Sequence, residues 1–137
     1  MIAPDIWNRV SSGLVLSVPA LEAEIASAEA ELGIRLPMEY REFLQKTNGA
    51  EGAIGANEYI SLWPVGRLKE LNDAYEVDSY ARGFLVVGSN GGGEAYAFDM
   101  LGDSCSISAL PFVGLSREEA RLIGKDFWAF LDNLWHA

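Results

Sequence analysis

Hydrophobic and polar positions change period several times along this chain, and each change marks an element. Leu21, Ile25, Ala28 and Leu32 recur at helical spacing on one face. Gly33 follows, where a helix commonly ends in a left-handed residue. Pro37 suits the first turn of a second helix, where its missing N–H costs nothing. Tyr40, Phe43 and Leu44 form that helix's apolar stripe, and Gly49 offers its stop. The stretch from Leu21 to Gly49 therefore reads as two short helices around a proline-marked corner, shaped to cap a sheet. A short helix from Pro4 or Asp5, carrying Ile6, Trp7 and Val10 and ended by Gly13, precedes them, with LVLSV as the link. The far face of the 20–32 helix carries Ala23, Ala26, Ser27 and Ala30. Helix propensity accounts for these alanines; close approach of another element is the alternative.

Beyond Gly49 the period shortens. AEGAIGAN is glycine-punctuated and reads as a loop. EYISLW, residues 58–63, alternates and is rich in strand formers, and Pro64 and Gly66 close it. RLKELNDAYEV puts Leu68, Leu71 and Tyr75 on one face of a short helix. GFLVVGS, residues 83–89, is almost continuously apolar, which predicts a central strand. Asn90-Gly91-Gly92-Gly93 turns the chain into EAYAFDM, giving a hairpin. Another strand over 106–110 follows the GDSC turn. Ser116-Arg117-Glu118-Glu119 has the Ser-x-x-Glu form of a capping box. It predicts a last helix burying Ile123, Phe127, Phe130, Leu131 and Leu134, with Trp128 and Trp135 on its edge; exposed tryptophans there would imply dimerisation. The predicted fold is α+β, with a mainly antiparallel sheet of about five to six strands. N-terminal helices, one inserted helix and a C-terminal helix pack against it, mainly on one side.

Composition narrows the class. A chain of 137 residues has length for one domain, residues 1–137, and for a core that needs no metal or disulfide. Half of its residues are hydrophobic and 22% are charged, the balance of a globular protein. The formal net charge is −10. Such a chain does not neutralise phosphates or dock on anionic lipid, so neither nucleic acid nor membrane is an expected partner. The charge serves solubility, or it attracts a basic protein partner. Cys105 is the single cysteine, which suits a reducing compartment. MIAPDIWNRV has no basic leader followed by an apolar run. A cytoplasmic protein is expected.

Chemistry-bearing motifs are scarce. Gly91-Gly92-Gly93 leads into a strand rather than a helix and lacks a following Lys-Ser/Thr pair, so it is a hairpin turn and not a phosphate cradle. His136, the single histidine, lies at the mobile end of the chain, a poor position for a catalytic base. One cysteine and one histidine cannot make a zinc set. Cys105 has no basic neighbour in sequence to activate it. Glu94 and Asp99 flank one strand, but their odd separation sends them to opposite faces. Glu58, Glu94 and Asp99 converging in a cleft would be needed for carboxylate catalysis. No enzymatic activity and no cofactor are expected. What remains is surface: Glu70, Asp73, Glu76 and Asp78 run across a helix end and its loop. They are either ordinary solvated charge or an acidic recognition edge. Trp63, Tyr75 and Tyr80 are its candidate aromatic anchors.

The ordered set of motifs resembles the SUKH superfamily, which includes the yeast Smi/Knr-type cell-wall regulators and many bacterial immunity proteins. The similar features begin with Ile25, Glu29, Leu32 and Gly33, then Leu36-Pro37 with Tyr40 and Phe43, and Asn48-Gly49. Trp63-Pro64, Leu68 with Leu71-Asn72, and Leu85-Val86-Val87-Gly88 follow. The hairpin from Gly91-Gly92-Gly93-Glu94 to Tyr96-Ala97-Phe98-Asp99 and the Phe127, Phe130-Leu131 helix complete the match, from about residue 18 to 135. The resemblance implies a non-catalytic protein that neutralises a toxin domain, often a basic nuclease or deaminase, by direct binding. Such a protein would be a monomer or weak homodimer. A regulatory scaffold or small-ligand sensor, with a pocket between helices and sheet lined by Trp63, Tyr96 or Trp128, is the alternative. The shared positions look structural, with Glu29 and Asp99 as polar exceptions. Those two would either satisfy backbone at a corner or line a shared groove. The candidate partner-binding set is thus Glu70, Asp73, Glu76, Asp78, Trp63, Tyr75, Tyr80, Glu94 and Asp99.

Overall fold

The computed structural model describes residues 4–102 and 105–137. Its strands form one seven-stranded sheet in the order β1-β2-β3-β4-β5-β6-β7, each pairing antiparallel with the next. The strands are β1 (Leu14–Leu16), β2 (Ala50–Ile54), β3 (Glu58–Leu62), β4 (Phe84–Ser89), β5 (Glu94–Asp99), β6 (Ile107–Pro111) and β7 (Arg121–Gly124). The helices are α1 (Pro4–Ser11), α2 (Glu22–Leu32), α3 (Met38–Leu44), α4 (Leu68–Ala74), α5 (Val77–Tyr80) and α6 (Phe127–His136). The α+β class and the central place of β4 agree with the sequence pattern. Gly33 ends α2 at φ 70°.

The sheet is larger than expected, for three local reasons. LVLSV and AEGAIGAN are not a link and a loop; they supply β1 and β2. The two alanines and the glycine of β2 have weak strand preference of their own, so pairing with β1 on one side and β3 on the other makes the strand. The third addition is β7. Ser116 makes no side-chain cap; residues 117–119 form a single tight turn, and the chain then runs as β7 along β6. The last helix begins only at Phe127, where the Asp126 carboxylate accepts the Ala129 N–H at 2.8 Å. Gly49 is not a helix stop either: α3 ends at Leu44, and Gly49 leads into β2. Leu21 sits exposed at the start of α2 rather than inside. The single inserted helix is two, α4 and α5, separated by Glu76 with φ at 53°. In the GDSC turn, residues 103 and 104 lie outside the described residues.

Strand alternation sorts the interior into two clusters. One face of the sheet gives Ile60, Leu62, Leu85, Val87, Tyr96, Phe98 and Ile107 to a core closed by α1, α2, α3 and α6. Tyr40, Phe43, Phe98, Phe127 and Phe130 are wholly buried there, with ring centroids of touching pairs 5.1 to 6.3 Å apart. The other face gives Phe84, Val86, Ala95, Ala97 and Leu110 to a smaller cluster beneath Val77, Ala81 and Leu115. That second cover stops at β4, so the β1–β3 part of this face stays open.

Buried polar groups hold the corners. β3 ends at Leu62, leaving the start of β4 paired with β5 but without a strand neighbour on its β3 side. Asn72 stands in for one: its side chain accepts the Val86 N–H at 2.9 Å and donates to the Val86 carbonyl at 2.8 Å. Thr47 accepts the Ser17 N–H and donates to the Gly49 carbonyl, while Asn48 accepts the Val65 N–H. Each of these would otherwise be a costly orphan.

Candidate functional site

The open part of the second sheet face carries a groove of about 660 Å³. Its floor follows from strand alternation. Glu51 of β2, Tyr59 and Ser61 of β3 and Ser89 of β4 point away from the helix-covered core and line it. Glu51 sits directly across from Ser61 in the register. Its carboxylate accepts the Tyr59 hydroxyl at 2.6 Å and the Ser61 hydroxyl at 3.1 Å. The Tyr59 hydroxyl is raised above the ordinary phenol pKa, first because ionising it would forfeit the hydrogen bond it donates to Glu51.

One wall is aromatic. Trp63, just past β3, stacks on Tyr75, just past α4, with centroids 6.3 Å apart and planes 10° from parallel. Tyr75 in turn meets Phe112 at 4.6 Å. Val113 extends the wall as an exposed apolar tip. The opposite rim is the Gly91–Gly93 turn. Gly91 has φ 79°, and a Cβ there would strike the Tyr59 ring at 2.7 Å, so only glycine lets the turn lie against that ring.

The predicted site residues divide between places. Trp63 and Tyr75 meet in the groove. Asp73 and Asp78 line a separate cavity of about 390 Å³, with Glu31 and Lys69 beside them and Phe84 and Met100 among its apolar lining. Asp73 is paired there with Lys69 at 2.7 Å. Glu70 pairs with Arg67 at 3.1 Å, while Glu76 and the exposed Tyr80 line neither hollow. Glu94 is held by Arg121 and Asp99 by Arg117 at 2.8 Å. Neither lines the groove. Asp99 also caps the turn beyond β5 by accepting the Leu101 N–H. Glu29 has a similar corner role, accepting the Leu36 N–H at 2.7 Å with Arg41 3.9 Å away. Both therefore satisfy backbone groups at a turn, one of the two roles expected of them.

The space expected as a pocket beside Tyr96 and Trp128 is filled, and the cavity beside α4 is lined by none of Trp63, Tyr96 and Trp128. Tyr96 and Trp128 are each 3% exposed and belong to the main core, and Trp63 faces the other side. Burial first, then the nearby Glu58 and Glu94 carboxylates, pushes the Tyr96 hydroxyl up to about 12. Glu94 and Asp99 sit at opposite ends of β5 and, by alternation, on opposite faces. Trp128 being buried also removes one of the two tryptophans offered as a dimer contact. Among the described residues no group of three His, Cys, Asp or Glu side chains is placed to hold a metal. No helix among them is long and apolar enough to cross a membrane.

Sequence reasoning missed Glu51, Tyr59, Ser61, Phe112 and Val113. The alternation of EYISLW carries the signal for two of them: with Ile60 and Leu62 inside, Tyr59 and Ser61 must face out. Glu51 carried none, because its segment did not look like a strand.

The architecture is thus an antiparallel meander under helices, with a polar and aromatic groove on its free face. The family model of the SMI1 / KNR4 family (SUKH-1) matches residues 19–133, and the chain belongs to that family. No curated protein matches the chain significantly.

Proposed function

We propose that this chain is a non-enzymatic binding protein, an immunity protein that neutralises a cognate basic toxin domain by direct contact. One observation carries the reading: an aromatic and acidic groove lies open on the sheet face of a chain with net charge −10. Family membership supports it, since SUKH proteins include toxin-immunity members. The separation of Glu94 from Asp99 and their pairing with arginines support the absence of carboxylate catalysis. Net negative charge would speed encounter with a basic nuclease or deaminase, and such steering weakens with salt. The protein acts in the cytoplasm, as a monomer or weak homodimer, without a cofactor. Trp63 and Tyr75 are its anchors in the groove, and Glu70, Asp73, Glu76, Asp78, Tyr80, Glu94 and Asp99 contribute acidic and aromatic surface outside it.

Co-expression with the toxin domain encoded in the adjacent open reading frame tests this. Protection of the host and a complex whose affinity falls as salt rises are the expected results. No protection and no complex would remove the proposal. The cavity beside α4 favours a second reading, a regulatory scaffold that senses a small ligand. A thermal-shift screen with a hit abolished by Asp78→Asn would favour it over the first.

A further inference from the structure

We propose that the groove receives an arginine-bearing extended segment of the protein partner. The inference rests on the binding-protein reading above and names the chemistry of what is bound. Three features of the groove point the same way.

Glu51 is the one charged side chain among the groove's lining residues. Both of its oxygens are oriented by neutral hydroxyl donors, Tyr59 and Ser61. It has no basic partner among the described residues, whereas Glu70, Asp73, Glu94 and Asp99 each have one. A carboxylate oxygen accepts more than one hydrogen bond, so Glu51 retains capacity for a cationic donor.

The aromatic wall selects among cations. Trp63 and Tyr75 lie nearly parallel, and Tyr75 is 43% exposed. A guanidinium is planar and weakly hydrated; it stacks on such rings while its N–H groups reach a carboxylate. An ammonium is a compact, strongly hydrated point charge and lacks the flat face.

Shape supplies the third feature. About 660 Å³ exceeds the space one side chain fills, and the Gly91–Gly93 rim is exposed and bare of side chains. A peptide backbone can therefore lie along the rim with its side chain turned into the groove. The chain's net charge of −10 favours the approach of a cationic segment.

Amide NMR of the full 15N-labelled chain tests this with acetyl-Gly-Arg-Gly-Arg-Gly-amide and its lysine counterpart. The expected shifts cluster at residues 51, 59–63, 89–93 and 112–113, including the Trp63 indole, with the arginine peptide binding several-fold tighter. Glu51→Gln should weaken the arginine peptide about tenfold. Tyr75→Ala checks the wall independently, and Glu24→Gln, on α2 at the other face of the sheet, should change nothing. Shifts scattered over the acidic surface, equal for both peptides and unaffected by Glu51→Gln, would overturn the proposal. The toxin-domain complex separates this from the broader reading. If it forms at wild-type affinity on Glu51→Gln and Tyr75→Ala, the groove is wrong and the binding reading stands. If the arginine peptide binds the groove while no toxin complex forms, the groove stands and the toxin reading falls.

Discussion

The two faces of the sheet hold aromatic clusters of similar closeness with opposite exposure. Under the helices, Tyr40, Phe43, Phe98, Phe127 and Phe130 touch at centroid distances of 5.1 to 6.3 Å and meet no solvent. On the free face, Trp63, Tyr75 and Phe112 touch at 6.3 and 4.6 Å, yet Tyr75 remains 43% exposed. Ring contact alone therefore does not mark a core. What separates the clusters is the cover: helices close one, and the second cover stops at β4. Aromatic surface left at the water's edge gains little for folding and is available for a partner.

Core truncation should expose this contrast most strongly. Phe127 touches Tyr40, Phe43, Phe98, Trp128 and Phe130, so Phe127→Ala should cost about 3–5 kcal/mol in urea unfolding. Tyr75→Ala should cost less than about 1 kcal/mol in the same assay. Equal losses would mean that the free-face cluster is a second core. Asn72→Ala comes next. It strips the Val86 N–H and carbonyl of their partners, and a loss of about 2–3 kcal/mol is expected. A smaller effect follows from the corrected start of α6. Asp126→Ala should cost about 1 kcal/mol, while Ser116→Ala should stay within about 0.5 kcal/mol. The reverse order would restore the capping box at Ser116.

The least effect at neutral pH belongs to Tyr40→Phe. The Tyr40 hydroxyl is wholly buried and finds no hydrogen-bond partner among the described residues, so removing it should leave stability unchanged or slightly raised. Its consequence appears in alkali. Burial pushes the Tyr40 hydroxyl above the ordinary phenol value, and Tyr96 is pushed up to about 12. Above about pH 10 the unfolded chain loses phenolic protons that the folded chain keeps. The unfolded state then binds fewer protons, so stability falls as pH rises. Tyr40→Phe should flatten that fall, and an unchanged alkaline slope would show that Tyr40 is not the residue responsible.

Much of the main core was legible because its signals are local. Helical spacing found Ile25, Ala28, Tyr40, Phe43 and Leu44, and all five are buried. The apolar run of residues 83–89 marked the central strand. The free face was less legible because pairing made it. β2 is a strand through its two neighbours, so Glu51 could not be placed on a face in advance. Phe112 and Val113 follow β6 on a connection whose course no period encodes. The acidic residues that stood out in sequence mostly found cations close by, Arg67, Lys69, Arg117 and Arg121, which sequence spacing reveals only for the first two. The acid that lines the groove, Glu51, came from a segment that looked like loop.

Amide chemical-shift mapping of the 15N-labelled chain titrated with the proposed partner, a basic toxin domain, tests the role of the free face most directly. The predicted result is that the largest changes fall at residues 51, 59–63, 89–93 and 112–113, with the outer surfaces of α1, α3 and α6 unchanged. Changes confined to those helices, with the sheet groove silent, would contradict it.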